Sequence, residues 1–436
     1  MTQQSLPIDT HNLFELVAHE RTLMKAFETV RKNKGSPGID NVSINDFDLI
    51  KDKELAQLRE ELINWRYKPN PVRRVEIPKP GNKGTRLLGV PCVRDRIVQA
   101  AIKLVIEPIL DPMFSNSSFG FRPNRSQRQA IEQARQYVDA GKEYVVDIDL
   151  SKFFDRINHD RLIAKLAKVI HDKRILRLIG MTLRSGVITD HGFEATAIGS
   201  TQGSPLSPLL SNVILDELDK KLEQRDLSFV RYADDCNIFI ATAKAAERVM
   251  ENISRFIEQK MKLVINQEKS QVAISRKVTF LGVTIVKGTV AISKATLQKA
   301  KAHIKELLPR GTNKTLEETV KVFNTWYRGW SGYFEVTNYP AQFRSVEGYA
   351  RRRLRARIVS QTKRRKFLFK KLKKHGVKHK TAAKTAFSNK RRWALSKSKA
   401  VEIAFSNKYF ENVGMFMKSK EEKPHWFDVS RWIHLS

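Results

Sequence analysis

Tyr232-Ala233-Asp234-Asp235 sets two adjacent carboxylates into an apolar run, with Phe229-Val230-Arg231 before it and Cys236-Asn237-Ile238-Phe239-Ile240 after it. Apolar, β-branched and aromatic residues on both sides read as a buried hairpin whose tight turn carries the acids. Carboxylates placed there are costly unless cations neutralise them. Mg²⁺ suits the task, because it takes hard oxygen ligands and leaves positions open for phosphate. A second segment, Tyr144-Val145-Val146-Asp147-Ile148-Asp149-Leu150-Ser151-Lys152-Phe153-Phe154-Asp155, alternates apolar residues with acids. Period-two alternation puts Asp147 and Asp149 on one face of a strand, with Val146 and Ile148 on the other. A strand bearing Asp149 beside a hairpin bearing Asp234 and Asp235 would gather three carboxylates around two metals. Such centres hold the ions about 3.5–4 Å apart and stabilise both the attacking and the leaving oxygen of an in-line phosphoryl displacement. The plainer alternatives are an acidic pair in a surface turn and, in the first segment, an acid capping the next helix, a part open to Asp155 or Asp160.

The flanking elements must hold these acids in place. Residues 10–70 read mainly as helices, joined by the turn Lys34-Gly35-Ser36-Pro37-Gly38. Residues 71–91 read as a hairpin with Gly81-Asn82-Lys83-Gly84 at its tip. Lys79 and Arg86 flank that tip, where a point charge and a bidentate fork could close on phosphates. Ile97, Val98, Ala101, Ile102, Val105, Ile106 and Ile109 recur at helical spacing, giving a helix stopped by Asp111-Pro112. A helix near 124–140, the acidic strand, helices to about 185, a short hairpin and a helix over 206–225 lead to the acidic hairpin. An amphipathic helix over 244–261 and short strands up to about 292 follow. Helices at about 294–308, 315–334 and 341–362 then read as a three-helix bundle. The mixture is α+β with an antiparallel sheet.

With 436 residues, 41% of them hydrophobic, the chain is long enough for two or three globular domains. Two cysteines, Cys92 and Cys236, cannot build a disulfide framework or a four-thiolate zinc site, which fits a reducing compartment. Neither a signal peptide nor a membrane-spanning apolar run is apparent. The net charge of +34 points to a polyanion, nucleic acid before membrane. Between residues 351 and 400 stand 21 Lys and Arg and no Asp or Glu. Hydrophobic residues recur there at helical spacing, so packed basic helices are expected rather than a tail. The candidate nucleic-acid contacts in this region are Arg351, Arg352, Arg353, Arg364, Arg365, Lys370, Lys371, Arg391 and Arg392.

Asp149-Leu150-Ser151-Lys152-Phe153-Phe154-Asp155 followed by Tyr232-Ala233-Asp234-Asp235 resembles the palm motifs of reverse transcriptases. The surrounding wording is similar to the reverse transcriptase/maturase proteins of bacterial group II introns. Arg73-Arg74-Val75-Glu76-Ile77-Pro78-Lys79-Pro80, Leu88-Gly89-Val90-Pro91, Arg94-Asp95-Arg96-Ile97-Val98-Gln99 and Ser118-Phe119-Gly120-Phe121-Arg122-Pro123-Asn124-Arg125-Ser126 follow the family's order. Gln202-Gly203-Ser204-Pro205-Leu206-Ser207-Pro208, Lys269 within Asn266-Gln267-Glu268-Lys269-Ser270, Phe280-Leu281-Gly282 and Gly329-Trp330-Ser331-Gly332-Tyr333-Phe334 continue it.

The resemblance implies a right-hand polymerase fold. Fingers and palm would occupy residues 1–292, with an N-terminal extension to about 70; a helical thumb 293–363; and a basic nucleic-acid-binding domain 364–436. It implies two Mg²⁺, or Mn²⁺ in their place, held by Asp149, Asp234, Asp235 and the Leu150 carbonyl, with Asp147 in support. Lys79, Arg86, Phe154 and Gln202 would bind the incoming dNTP, Phe154 closing the sugar pocket against a 2′-hydroxyl. Gly203 would allow close backbone approach to the nascent pair, Lys269 would act as general acid toward pyrophosphate, and Arg122 and Arg125 would touch nucleic acid. Three positions depart from the family's wording: Asn41 stands for a glycine, Thr201 for a proline and Ser204 for a glycine. Asn tolerates positive φ, so the first turn should survive.

The activity implied is RNA-directed DNA synthesis from a DNA or RNA primer on an RNA template, together with binding of intron RNA as a maturase and of target DNA during intron mobility, in the bacterial cytoplasm. The rival readings are an intron-independent reverse transcriptase in DNA repair or phage defence, and an RNA-binding splicing factor with a relic polymerase fold. No His-Asn-His nuclease motif with paired cysteines is apparent, so second-strand cleavage by this chain is not expected.

Overall fold

The computed structural model describes residues 10–420, apart from 79–84, 197 and 201–202. The chain divides into two compact units, Met1–Ile274 and Ser275–Ser436. In the first, helix α1 (Glu20–Lys32) packs against both α2 (Lys51–Ile63) and α3 (Val93–Leu110), whose apolar residues are buried along most of its length, and α4 (Gln127–Asp139) follows. A short turn of helix at Asp111–Met113 ends α3 where Asp111-Pro112 was expected to stop it. Between α1 and α2, Asn41 adopts φ 58°, the left-handed conformation that Asn tolerates better than most side chains.

The strands of the first unit are β1 (Val72–Pro78), β2 (Thr85–Val90), β3 (Tyr144–Ile148), β4 (Val187–Thr189), β5 (Gly192–Glu194), β6 (Ser228–Tyr232), β7 (Asp235–Ile240) and β8 (Gln271–Ile274). They form two four-stranded sheets, ordered β2-β1-β4-β5 and β6-β7-β3-β8. In the first, β1 and β2 pair antiparallel from Arg73–Val90 to Pro78–Thr85, and β4 runs parallel to β1. The expected glycine-rich tip at 81–84 lies outside the described residues. The second sheet is antiparallel throughout. Its apolar face (Val146, Ile148, Phe229, Ile238) belongs to one core with Leu210 and Leu218 of α5 (Ser207–Glu223) and Ile253 of α6 (Ala243–Phe256). Burying that face obliges the alternate residues, the acids among them, to point the other way.

The second unit begins at the hairpin of β9 (Val283–Val286) and β10 (Thr289–Ile292), continues through α7 (Lys294–Leu307), α8 (Leu316–Tyr333), α9 (Ala341–Gln361) and α10 (Arg365–Lys374), and ends in short helices. The hairpin falls in the same compact unit as the helices, and side chains beyond α8 complete its hydrogen bonds. Val290 N–H donates to Asn338 Oδ1 (2.8 Å), Ile292 N–H to Gln342 Oε1 (2.7 Å), and Gln342 Nε2 to the Ile292 carbonyl (2.8 Å). Phe323, Tyr327, Leu354, Leu372, Phe405 and Phe410 fill a core of their own. Among the described residues no helix is long and apolar enough to cross a membrane.

Several arginines of the sign-pure stretch are used inside the protein. Arg353 is buried and donates through Nε and Nη2 to the Leu308 carbonyl (3.2 and 2.8 Å) and through Nη2 to that of Lys305 (3.1 Å), at the end of α7. Arg392 donates to the carbonyls of Val359, Thr362 and Lys363 (3.0, 3.0 and 2.8 Å), closing α9. Arg351 lies 3.8 Å from buried Glu347, and the Arg352 guanidinium stacks 3.9 Å from the centre of the Trp393 ring. Arg365 reaches the Phe387 carbonyl (3.3 Å) and Asn389 (3.5 Å). The reason is general: the last carbonyls of a helix lack partners and sit at the negative end of its dipole. In a stretch with no acids, they are the natural acceptors for a guanidinium. Arg364, Lys370 and Arg391 remain exposed, and Lys371 is half-buried.

Arg353→Lys, which keeps the charge and loses the fork, is therefore expected to destabilise the second unit by about 1–3 kcal/mol in denaturant unfolding. RNA affinity, measured on the same protein under native conditions, should stay at the wild-type value.

Candidate active site at the aspartate hairpin

The acidic hairpin has a two-residue turn. Strands β6 and β7 pair from Ser228–Phe239 to Tyr232–Asp235, leaving Ala233 and Asp234 as the connection. Asp234 thus sits at the tip and Asp235 opens β7, where the sequence had put both acids in the turn. Ala233 takes φ 59°, an arrangement that usually calls for glycine and costs an alanine about 1–2 kcal/mol.

What holds this turn is Arg231, a residue the sequence offered only as part of an apolar flank. Its side chain is completely buried, and all five of its N–H donors are engaged. Nε and Nη2 clamp Asp219 (2.7 and 2.5 Å), and Nη2 also reaches Ser118 Oγ (2.7 Å). Nη1 donates to Asn212 Oδ1 (2.9 Å) and to the Ala233 carbonyl (2.8 Å), the strained residue itself. The Arg231 backbone is pinned as well, donating to the Ser117 carbonyl (2.8 Å) and accepting from Phe119 N–H (2.9 Å). Asn212 Nδ2 completes the circuit at the Gly120 carbonyl (3.0 Å). A Cβ on Gly120 would lie 2.2 Å from the Ala233 nitrogen, so only glycine lets these backbones touch. Asp219, Asn212, Ser118 and Gly120 escaped the sequence reading as parts of the site. The one signal was a charged residue at an inward position of a strand, with an acid buried on the helix before it.

The second acid-bearing strand lies beside this hairpin. β3 pairs with β7 from Tyr144–Ile240 to Ile148–Cys236, so one further step sets Asp149 across from Asp235, while Asp147 faces Asn237. Directly opposed residues share a face, which gathers the acids on one side of the sheet. Asp149 is anchored by its backbone, donating to Ser270 Oγ (3.0 Å) and accepting from Asn266 N–H (2.8 Å). Its carboxylate accepts from Asn266 Nδ2 (2.9 Å) and lies 3.2 Å from Lys269 Nζ.

Burial, then the charges of Asp147, Asp234 and Asp149, push the Asp235 carboxyl up to about 7. Asp147 is raised by burial and by Asp149, against a hydrogen bond from Gln271 that lowers it. The four acids therefore lie within one another's fields. Among the described residues, no three His, Cys, Asp or Glu side chains are drawn together closely enough to hold a metal ion as they stand. The donor set nevertheless fits a divalent cation: hard carboxylate oxygens gathered on one face of a sheet.

The other expected residues are placed as follows. Leu150 is buried in a bridge with Ile265, and the Phe154 ring packs edge-on against Phe153 (5.3 Å). Arg86 pairs through its backbone with Ile77, next to the outermost pair of the β1–β2 hairpin. Lys79 and Gln202 lie outside the described residues. Gly203 takes φ 114°, and a Cβ there would come 2.6 Å from the Gly89 carbonyl, so this turn needs glycine. Arg122, expected at nucleic acid, is buried and spends its fork on Asp111 (2.7 Å) and on the carbonyls of Asp111, Ser115 and Ser118 (2.8, 2.6 and 3.0 Å). Arg125 bonds Asn116 and lies over Phe119, 5.5 Å from its centre. The helix after the acidic strand is capped by Asn158, whose Oδ1 accepts from Arg161 N–H (2.9 Å), and not by Asp155 or Asp160.

Residues 77–285 match the family described as reverse transcriptase (RNA-dependent DNA polymerase), and residues 297–376 match the group II intron maturase-specific domain. Protein YkfC of Escherichia coli K12 is 33% identical over 327 residues, covering 66% of this chain and 85% of that protein. The putative COX1/OXI3 intron 2 protein of Saccharomyces cerevisiae is 30% identical over 331 residues, covering 62% of this chain and 38% of its own length. The group II intron-encoded protein LtrA of Lactococcus lactis is 30% identical over 249 residues, covering 57% of this chain and 40% of that protein. The chain belongs to the reverse transcriptase family, in the branch that carries a group II intron maturase-specific domain. These are RNA-directed DNA polymerases that work with divalent metal ions. The chain spans most of YkfC but only about two fifths of the other two relatives.

Arg231→Lys should destabilise the first unit by about 3–5 kcal/mol in denaturant unfolding, because buried Asp219 loses its bidentate partner. A second expectation concerns pH. The folded chain holds the Asp235 proton more tightly than the unfolded chain, so without divalent cation its stability should fall as pH rises from about 4 through about 7. Thermal midpoints in chelator should show this slope, flattened in Asp235→Asn.

Proposed function

We propose that this protein extends a DNA or RNA primer along an RNA template, adding deoxynucleotides with two Mg²⁺ held by Asp149, Asp234, Asp235 and the Leu150 carbonyl. The observation that carries this reading is the register that sets Asp149 across from Asp235, with Asp234 at the adjoining turn. The ions, when bound, would supply charge stabilisation at the attacking and leaving oxygens. The residues supply the rest. Asp147 adds charge that favours cation binding. Lys269, now 3.2 Å from Asp149, would be released as that carboxylate turns to the ions and could then give its proton to the departing pyrophosphate. Lys79 and Arg86 would grip the triphosphate, Phe154 would exclude a 2′-hydroxyl, and Gln202 with Gly203 would position the pair. Phosphoryl transfer asks little covalent chemistry of a protein, so positioning and charge account for the catalysis.

On this reading residues 1–292 serve as fingers and palm, 293–363 as thumb and 364–436 as a basic nucleic-acid-binding domain. The exposed cations Arg364, Lys370 and Arg391, with Lys371, would hold intron RNA during splicing and target DNA during mobility, in a bacterial cytoplasm. Binding through phosphates makes this affinity strongly salt-dependent.

Asp234→Asn should abolish primer extension on an RNA template with dNTPs and Mg²⁺ while leaving RNA affinity within about twofold, since one neutralised acid among many cations hardly alters the phosphate contacts. DNA made at the wild-type rate by this variant would exclude the assignment.

A further inference from the structure

The loop around residues 201–202, which lie outside the described residues, has its two described halves attached differently. Its first half lies along the segment that follows the acidic strand. Ile198 bridges Asn158, Gly199 N–H donates to the Ile157 carbonyl (2.8 Å), and Ser200 N–H donates to the Phe154 carbonyl (2.7 Å). Its second half lies against β2, where Gly203 meets the Gly89 carbonyl. Among the described residues, two buried side-chain contacts tie that half down: Ser200 Oγ donates to Ser207 Oγ (2.6 Å), and Ser204 reaches α3. Ser204 Oγ donates to Gln99 Oε1 on α3 at 2.7 Å and accepts from Leu206 N–H at 3.3 Å. Ser204 is 8% exposed and Gln99 4%, so neither group can readily exchange its partner for water.

We infer that Ser204 is a positioning residue that sets the affinity and selectivity for the incoming nucleotide. This role rests on the polymerase reading above. If the sugar lies by Phe154 and the triphosphate by the β1–β2 hairpin, Ser200 stands at the first and Gly203–Ser204 beside the second. The loop's near end is fixed to Phe154 through the main chain, whatever the side chains. At its far end the Ser204 hydroxyl ties it to Gln99 of α3. Glycine, which the family resemblance would place at 204, offers no hydroxyl for Gln99. Removing the hydroxyl leaves Gln99 Oε1 buried without this donor and frees Gly203 to shift along β2. Because the metal-bearing strands β3, β6 and β7 are held elsewhere, by Arg231 and Asn266, the effect should fall on nucleotide binding and not on the chemical step.

Single-nucleotide extension on an RNA template, with full-length protein, tests this. Ser204→Ala should raise KM for the correct dNTP about fivefold, the worth of one neutral hydrogen bond, with kcat within about twofold. Misincorporation should change with it, while primer-template Kd stays at the wild-type value and the thermal midpoint falls only by the few degrees that one lost buried hydrogen bond accounts for. Ser204→Thr, which keeps the hydroxyl, should restore KM. Gln99→Ala should match Ser204→Ala, and the double variant should be no worse than either single one. Unchanged KM and misincorporation in an active Ser204→Ala protein would overturn this inference alone, as would a fall in thermal midpoint with kcat lost in step. Wild-type protein that extends no primer would overturn the polymerase reading and this inference together.

Discussion

The whole site turns on one buried cation. Arg231 lies in a strand whose neighbours are apolar, and its guanidinium is completely desolvated. Such a charge is tolerable only when every donor is met. Here the five donors are spread over α5, the segment before Gly120 and the strained Ala233 turn. A fork of fixed geometry thereby joins three parts of the chain that share no backbone pairing with one another beyond Ser118 and Arg231. Asp234 and Asp235 inherit their position from that fork. The acids do not hold themselves in place, since their mutual repulsion would drive them apart.

The same repulsion defines what the site can do. Asp235 is pushed up to about 7 by burial and three neighbouring carboxylates, and Asp149 already leans toward Lys269. Rigid strands force the acids onto one face, and the Lys269 ammonium lies 3.2 Å from one of them. A divalent ion relieves their repulsion more completely than a lysine, having twice the charge and room for several oxygens. The strain thus lies in the charges and the order in the backbone, as preorganised phosphoryl-transfer sites require.

Positive charge is deployed in two ways. Arg122, Arg353 and Arg392 use the planar fork to satisfy main-chain carbonyls, closing helices and loops from within. Arg364, Lys370 and Arg391 stay at the surface. A count of basic residues therefore overstates the charge presented to a polyanion. The exposed bases are fewer than the sign-pure stretch implies.

Periodicity alone determined much of this protein. The helices over Val93–Leu110, Ser207–Glu223, Lys294–Leu307, Leu316–Tyr333 and Ala341–Gln361 lie within a residue or two of their expected bounds, because apolar spacing and stop signals are local. The alternation around Asp147 and Asp149, and the turn at Asn41, were legible for the same reason. Pairing partners were not. Nothing in the chain's order says that Arg231 meets Asp219, that Ser204 meets Gln99, or that Gln342 completes the β9–β10 hairpin and carries it into the second unit. Nor does composition tell an arginine that caps a helix from one that faces solvent. These depend on which buried donor finds which buried acceptor, a condition that exists only once distant segments have been brought together and water removed.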